Sequence, residues 1–229
     1  FKKITKKNNK LYISIETKEG QTSEISCDKV LISIGRKPYT FGLNLDEAGV
    51  QTDSKGFIIT KDNFQTSAEN IFAIGDCKLG PMLAHKASEE GTALAEIIVG
   101  QVGHVNFDTI PSVVYTAPEV ASVGKTEEEL KSLGLKYKVG KFPFTANAKA
   151  KVMHETLGFV KILSDANSDK VLGVHMIGPD VGNMIAELAL AMEFGASSED
   201  IARTCHAHPT LTESIKEAAL NVEKRAIHI

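Results

Sequence analysis

The segment 205–213, Cys-His-Ala-His-Pro-Thr-Leu-Thr-Glu, holds the residues best suited to acid–base chemistry. His206 and His208 are one residue apart, and Glu213 follows at the predicted start of the last helix. A neighbouring carboxylate fixes the orientation of an imidazole and stabilises its protonated form, which makes the imidazole an effective general base near neutral pH. We therefore take His208 as a candidate base and Glu213 as its orienting acid.

Other roles for these residues stay open at the level of sequence. Thr210 and Glu213 fit the Ser/Thr-x-x-Glu capping box, so Glu213 could serve only to close the helix end, and His208 could be a buried, hydrogen-bonded imidazole. His206 and His208 could also chelate a metal ion. No third ligand follows at a spacing typical of zinc sites, so we predict no metal.

A second candidate site begins at Asp76. The run Ile71-Phe72-Ala73-Ile74 is short, apolar and continuous, as in a strand buried on both faces, and it ends in Gly75-Asp76. An aspartate at the carboxyl end of such a strand can accept hydrogen bonds from sugar or ribityl hydroxyls. The alternative is an ordinary turn or helix-capping residue.

A predicted helix over 82–99, stopped by Gly100, follows this aspartate. Its first residues, Met82, Leu83, Ala84 and His85, offer backbone N–H groups without internal partners, and such an end suits an electron-rich group such as the N1–O2 edge of a flavin. The alternative is a plain amphipathic helix with a proline near its first turn. Gly35, after the apolar run Val30–Ile34, either allows a ligand to approach the backbone closely or is a turn glycine.

The remaining elements must position these residues. Alternation around Leu11, Ile13 and Ile15 predicts a strand in a β-meander that continues through an apolar strand at 27–34. Residues 39–70 are rich in loops, with short strand candidates at 50–52 and 56–59. From about residue 108 we predict five strands (112–115, 120–123, 137–142, 159–163, 171–177) and helices after Thr126 and over 180–194, 198–204 and 210–224. This order indicates an α+β domain with an antiparallel sheet.

Composition narrows the classes of function. The 229 residues carry a net charge of −3, and 42% are hydrophobic, as in an ordinary globular protein. The lack of a large basic block argues against nucleic acid as the main partner, and no apolar run reaches membrane-spanning length. Three widely spaced cysteines favour a reducing compartment, and we expect Cys77 and Cys205 to be small buried hydrophobes. Because the chain opens with Phe1 inside a strand pattern, we expect it to be part of a longer protein.

Four motifs in this order resemble the dihydrolipoamide dehydrogenase branch of the FAD-dependent pyridine nucleotide-disulfide oxidoreductases. The motifs are Ile71–Asp76, Gly80–Ala87, Tyr115–Gly124 and His206–Thr210. The resemblance implies the tail of Rossmann-like NAD and FAD domains followed by an α+β interface domain. The implied division is 1–38 for the end of the NAD-binding domain, 39–107 for a central FAD-binding segment and 108–229 for the dimerisation domain.

The resemblance also implies roles for individual residues. Asp76 would bind hydroxyls of FAD, Met82, Leu83, Ala84 and His85 would lie under the flavin, and Gly35 would lie against NAD. His208, oriented by Glu213, would serve the active site of the other subunit in a homodimer. The implied reaction oxidises dihydrolipoamide, carried on the lipoyl domains of the E2 component of 2-oxoacid dehydrogenase complexes, to lipoamide with NAD⁺. The implied location is the bacterial cytoplasm or the mitochondrial matrix.

The chain departs from the family pattern in one large respect. The Gly-rich FAD loop, the redox-active cysteine pair and the Gly-rich NAD fingerprint are not in this sequence. We therefore expect the chain on its own to be inactive. Two rival functions stay open, namely a dimerisation fragment without catalysis and another FAD disulfide reductase of the glutathione or mercuric reductase type.

Overall fold

The computed structural model describes residues 1–229, and its first part is a three-stranded antiparallel meander. The strands are β1 (Lys3–Lys7), β2 (Lys10–Glu16) and β3 (Thr22–Cys27), hydrogen-bonded in that order. The alternation of Leu11, Ile13 and Ile15 correctly predicts β2, although the five central residues of this strand are all half-buried. The turn between β2 and β3 contains Gly20 at φ +83°, a conformation that glycine adopts without strain.

The predicted continuation of β3 to residue 34 is wrong. β3 ends at Cys27, and the run Val30–Ile34 is not paired with any strand of the chain. Leu31 is 89% exposed, and Ile32 and Ile34 are also exposed. An apolar run becomes a strand only where a neighbouring strand satisfies its backbone hydrogen bonds, and this chain places none beside it.

Residues 39–83 are mostly irregular, and the three short strands predicted there are reduced to isolated bridges. Thr52 pairs once with Ile58, and Phe72 pairs once with Gln65. A small apolar cluster of Val50, Ile58 and Ala73 holds this region together. The predicted helix that follows is confirmed as α1 (Ala84–Ile98).

The second part of the chain is a five-stranded antiparallel sheet, as the sequence predicts. The strands are β4 (Ser112–Val114), β5 (Glu119–Gly124), β6 (Tyr137–Pro143), β7 (Phe159–Asp165) and β8 (Val171–Gly178). Their spatial order is β4-β5-β8-β7-β6. The central hairpin β7–β8 therefore lies between strands that precede it in sequence.

Five helices accompany this sheet. They are α2 (Glu127–Ser132), α3 (Ala148–Met153), α4 (Val181–Glu193), α5 (Ser198–Arg203) and α6 (Glu213–Val222). The predicted capping box of α2 is present in full, because Thr126 and Glu129 exchange hydrogen bonds between side chain and backbone. α6 begins at Glu213 rather than at residue 210. The short helix α3 has no counterpart in the sequence prediction.

α4 packs on β5 and β8, whereas α6 packs on β6 and β7, and together they enclose a core of 22 buried residues. α6 approaches β6 so closely that a Cβ atom on Gly140 would lie 2.0 Å from the carbonyl oxygen of Ala218. Only glycine permits this approach, which fixes the position of the helix that carries Glu213. No helix of the chain combines the length and apolarity needed to cross a membrane.

Candidate functional site

His208 and Glu213 are brought together by the loop between α5 and α6. Nδ1 of His208 lies 2.8 Å from Oε1 of Glu213, the first residue of α6. The His208 side chain is 70% exposed, so the alternative of a buried imidazole is wrong. Because a carboxylate only accepts hydrogen bonds, Nδ1 carries the proton of the neutral ring, and Nε2 is left as the free proton acceptor.

The second oxygen of Glu213 has a structural task. Oε2 accepts a hydrogen bond of 2.8 Å from the backbone N–H of Thr210. This is half of the predicted capping box. The other half, a hydrogen bond from the Glu213 N–H to the Thr210 hydroxyl, is absent, and this hydroxyl donates to the carbonyl of Ala207. One carboxylate therefore both closes the loop and orients the imidazole, so the two roles are compatible.

The carboxylate of Glu213 is held in its ionised form. Partial burial acts to raise its pKa, but the hydrogen bonds from the Thr210 N–H and from His208 outweigh burial and lower the pKa below its ordinary value. The ionised carboxylate accepts the hydrogen bond from Nδ1 of His208, and this keeps Nε2 as the proton acceptor of the ring.

His206 occupies a different environment from His208. Its side chain is only 4% exposed, with Nε2 2.8 Å from Oε1 of Glu187 and Nδ1 3.1 Å from the carbonyl of Thr204. The hydrogen bond to Glu187 raises its pKa against the opposing effect of burial. Both ring nitrogens of His206 thus have partners within the chain, and this histidine is the structural one of the pair.

Asn147 is a positioning residue that the sequence did not reveal. Its buried side chain donates to the carbonyl of Thr210 and to the hydroxyl of Ser214, each at 3.0 Å, and accepts from the N–H of Ala150 to cap α3. It ties the loop that carries His208 to a neighbouring helix. The pairing spans more than 60 residues, so no local pattern signals it.

A cavity of about 240 Å³ adjoins the pair and is lined by residues that include Cys205, His208 and Glu213. Cys205 is exposed, and its predicted burial is wrong. A larger cavity, of about 550 Å³, is lined by other residues, among them Glu119 and His154. That larger cavity lacks a hydrogen-bonded imidazole–carboxylate pair, so the smaller one is the better candidate for proton transfer.

The second predicted site is built on the turn that precedes α1. Gly75 has φ +72°, and a side chain there would press against Ala87. Asp76 is partly exposed and forms an ion pair of 3.2 Å with Arg36, whose guanidinium also donates to the carbonyl of Met82. Arg36, which directly follows Gly35, therefore links this part of the chain to both Asp76 and the residues before α1. No local pattern in the sequence indicates this role of Arg36.

The start of α1 supplies backbone donors at the surface. Its N-cap residue, Leu83, makes no capping hydrogen bond through its side chain, and Ala84 and His85 are exposed. The first N–H groups of the helix are thus available to an electron-rich ligand. This donor set fits the edge of a flavin. His85 itself contacts the carbonyl of Pro111 through Nε2 at 2.8 Å.

A buried ionic cluster of Lys78, Lys86 and Glu90 contacts the Gly75 turn. Oε1 of Glu90 is 2.9 Å from Nζ of Lys78 and 3.1 Å from Nζ of Lys86, while Oε2 accepts from the N–H of Gly75 at 2.6 Å. Glu90 and Lys86 are almost completely buried. The sequence pattern does not reveal this cluster, because charged residues on an amphipathic helix are usually solvated.

Two family sequence profiles match the chain. The profile described as pyridine nucleotide-disulphide oxidoreductase matches residues 1–91, and the profile of the dimerisation domain of the pyridine nucleotide-disulphide oxidoreductases matches residues 110–219. The two matches lie on either side of the junction predicted near residue 108.

Individual relatives agree with these profiles. The mitochondrial dihydrolipoyl dehydrogenase of Pisum sativum is 54% identical over 210 residues, which cover 92% of this chain and 42% of that protein. Dihydrolipoyl dehydrogenase 3 of Pseudomonas putida is 53% identical over 216 residues, which cover 94% of this chain and 46% of that protein. The structure of LpdA from Mycobacterium tuberculosis superposes with a TM-score of 0.85 at 27% identity, over 95% of this chain and 47% of that one. The chain thus spans less than half the length of these relatives.

Proposed function

Because the chain belongs to the pyridine nucleotide-disulphide oxidoreductase family, we propose that it forms part of an enzyme that oxidises dihydrolipoamide to lipoamide with NAD⁺. The single observation that carries the proposal is the outward-facing Nε2 of His208, on a ring whose Nδ1 is bound by Glu213. The names of the relatives, which are dihydrolipoyl dehydrogenases at 53% and 54% identity, support the choice of substrate.

In the proposed reaction, Nε2 of His208 removes a proton from a thiol of the substrate. Glu213 stabilises the resulting imidazolium and prevents the ring from rotating. The thiolate is the nucleophile in thiol–disulfide exchange, so this proton transfer prepares the substrate to attack a disulfide. By the family resemblance, that disulfide belongs to a part of the enzyme outside this chain.

The cofactor residues follow from the same family membership. We propose that Asp76 binds hydroxyls of FAD, that Met82, Leu83, Ala84 and His85 form the helix start under the flavin, and that Gly35 lies against NAD. When bound, FAD supplies the two-electron chemistry that links the dithiol to NAD⁺. The cluster of Lys78, Lys86 and Glu90 holds the Gly75 turn in the shape that these contacts require.

We propose that the active form is a homodimer in which residues 108–229 form the interface, residues 1–38 end an NAD-binding domain and residues 39–107 belong to the FAD-binding region. The match of residues 110–219 to a dimerisation domain supports this arrangement. The dithiol would be presented on lipoyl domains of the E2 component of 2-oxoacid dehydrogenase complexes. The mitochondrial and bacterial relatives are compatible with either the mitochondrial matrix or the bacterial cytoplasm.

The test uses the complete protein, purified and inspected for flavin absorbance. We expect a yellow protein that forms NADH from NAD⁺ and dihydrolipoamide. Reduction of oxidised glutathione or of mercuric ion with NADPH, without dihydrolipoamide oxidation, would support the rival reductases. A colourless dimer without either activity would support the rival dimerisation module and contradict the proposal.

A further inference from the structure

A second histidine–glutamate pair lies at the C-terminal end of the chain. Nδ1 of His228 is 2.7 Å from Oε1 of Glu217, whose other oxygen accepts the N–H of Ile227 at 2.8 Å. Glu217 is only 5% exposed. A buried carboxylate needs hydrogen-bond donors, and here the last residues of the chain provide them.

This pair repeats the geometry of His208 and Glu213. The two glutamates are one turn apart on α6, and each binds the Nδ1 atom of an exposed histidine. The His228 side chain is 67% exposed, close to the value for His208. In both rings the carboxylate occupies Nδ1, so Nε2 is the nitrogen available to a ligand.

Both imidazoles line the same cavity of about 240 Å³. This volume is below the roughly 300–1,000 Å³ of pockets that enclose drug-sized ligands, so the cavity suits the reactive end of a substrate rather than a whole large molecule. A dithiol has two S–H groups at such an end, and two imidazoles line the cavity.

We propose that His228 is a second substrate-contacting residue, whose Nε2 accepts a hydrogen bond from the second thiol of the dithiol while the first thiol faces His208. The inference rests on the proposed function, because it names a contact of the same substrate. His228 would hold the second sulfur in place during attack by the first, and no bond to His228 is formed or broken.

If the His228 ring only holds the tail in place, its loss should affect dithiol oxidation and thiol-independent reactions equally. The tail is already held to Glu217 by backbone N–H groups, at 2.8 Å from Ile227 and 3.4 Å from His228. These bonds do not involve the imidazole, so a variant that changes only the ring leaves them in place. The His228→Leu variant keeps these two bonds but loses the ring's hydrogen bond to Glu217, so a reaction that needs no thiol is measured beside dithiol oxidation to separate substrate contact from tail anchoring.

The experiment compares His228→Leu, His228→Gln and the control His154→Asn in the complete protein. His154 is exposed, lines the other cavity and adopts φ +59°, which asparagine tolerates well. Loss of one neutral hydrogen bond predicts a fall of about three- to tenfold in kcat/KM for dihydrolipoamide in His228→Leu, mainly through KM. We expect His228→Gln to recover part of this loss, because its amide can still hydrogen-bond. Oxidation of NADH by ferricyanide, which needs no thiol, should stay unchanged.

Two results would overturn the inference. One is a kcat/KM for dihydrolipoamide in His228→Leu equal to that of His154→Asn. The other is an equal loss in the ferricyanide reaction, which would indicate a defect that is not specific to the dithiol. If the wild-type protein fails to oxidise dihydrolipoamide at all, the proposed function falls and this inference falls with it, whereas a failure confined to His228 leaves the proposed function intact.

Discussion

Replacing Glu213 by glutamine separates the orientation of His208 from the capping of α6. In the wild type, one carboxylate oxygen binds Nδ1 of His208 and the other binds the N–H of Thr210, both at 2.8 Å. A glutamine side chain has only one oxygen. Because the Thr210 N–H is a fixed donor, we expect the amide oxygen to face Thr210 and the NH₂ group to face His208.

This arrangement would reverse the tautomer of the ring. Nδ1 of His208 would have to accept a hydrogen bond from the amide, so the proton of the neutral ring would move to Nε2, where it blocks the outward lone pair. Loss of the charge-assisted hydrogen bond alone costs about 1.5–3 kcal/mol. At 1.36 kcal/mol per factor of ten, this predicts a fall of about 10- to 150-fold in kcat/KM for dihydrolipoamide.

The assay measures kcat/KM and Tm of Glu213→Gln beside those of Glu129→Gln. Glu129 is a matched control because it closes the capping box of α2 with no histidine bound to its carboxylate. We expect Glu129→Gln to change both Tm and turnover little, because glutamine also closes a capping box, and Glu213→Gln to slow turnover with a similarly small change in Tm. If Glu213→Gln lowers only Tm, the carboxylate is a cap and the reasoning about His208 is refuted.

Other predictions concern the residues that support the two sites. Glu90→Leu leaves both lysines of the buried cluster without a carboxylate, and urea titration should show a loss of about 3–5 kcal/mol in the free energy of unfolding, whereas a loss below about 1 kcal/mol contradicts the assignment. Burial acts to raise the pKa of Glu90, but hydrogen bonds from the Gly75 N–H and from the lysines lower it below its ordinary value of 4.5. The ionised form therefore stabilises the fold above about pH 4.5 and this contribution is lost as the pH falls further, so the stability difference between wild type and Glu90→Leu should shrink in acid. Asn147→Ala removes one hydrogen bond to the His208 loop, one to Ser214 of α6 and the cap of α3, and we expect a loss of about 1–3 kcal/mol in urea titration together with slower dithiol oxidation. An unchanged unfolding midpoint would contradict this role of Asn147.

Local patterns predicted the elements whose partners lie within the chain. The five strands of the second sheet pair with one another, so their alternation of apolar and polar residues matches the burial that the structure shows. The run at residues 30–34 has an equally apolar pattern, but it has no neighbouring strand and stays exposed. The apolar pattern of a segment indicates which of its residues can be buried, but whether they are buried depends on the presence of a neighbouring strand.

The candidate site was predictable where its residues are close in sequence. His208 and Glu213 are five residues apart, and their pairing follows from the loop and helix that join them. Asn147 and the pair of Glu217 and His228 act across longer separations, and no local spacing signals them. The buried Glu90 is a similar case, since its partner Gly75 lies 15 residues away and in the turn before the helix.

The most direct test of the proton-acceptor role is the His208→Gln variant of the complete protein, with His154→Asn as the control. General acid–base catalysis contributes about 100- to 10,000-fold, so kcat/KM for dihydrolipoamide should fall by that factor while the flavin absorbance stays unchanged. Turnover close to that of His154→Asn, in a protein that retains its flavin, would contradict the assignment of His208 as the base.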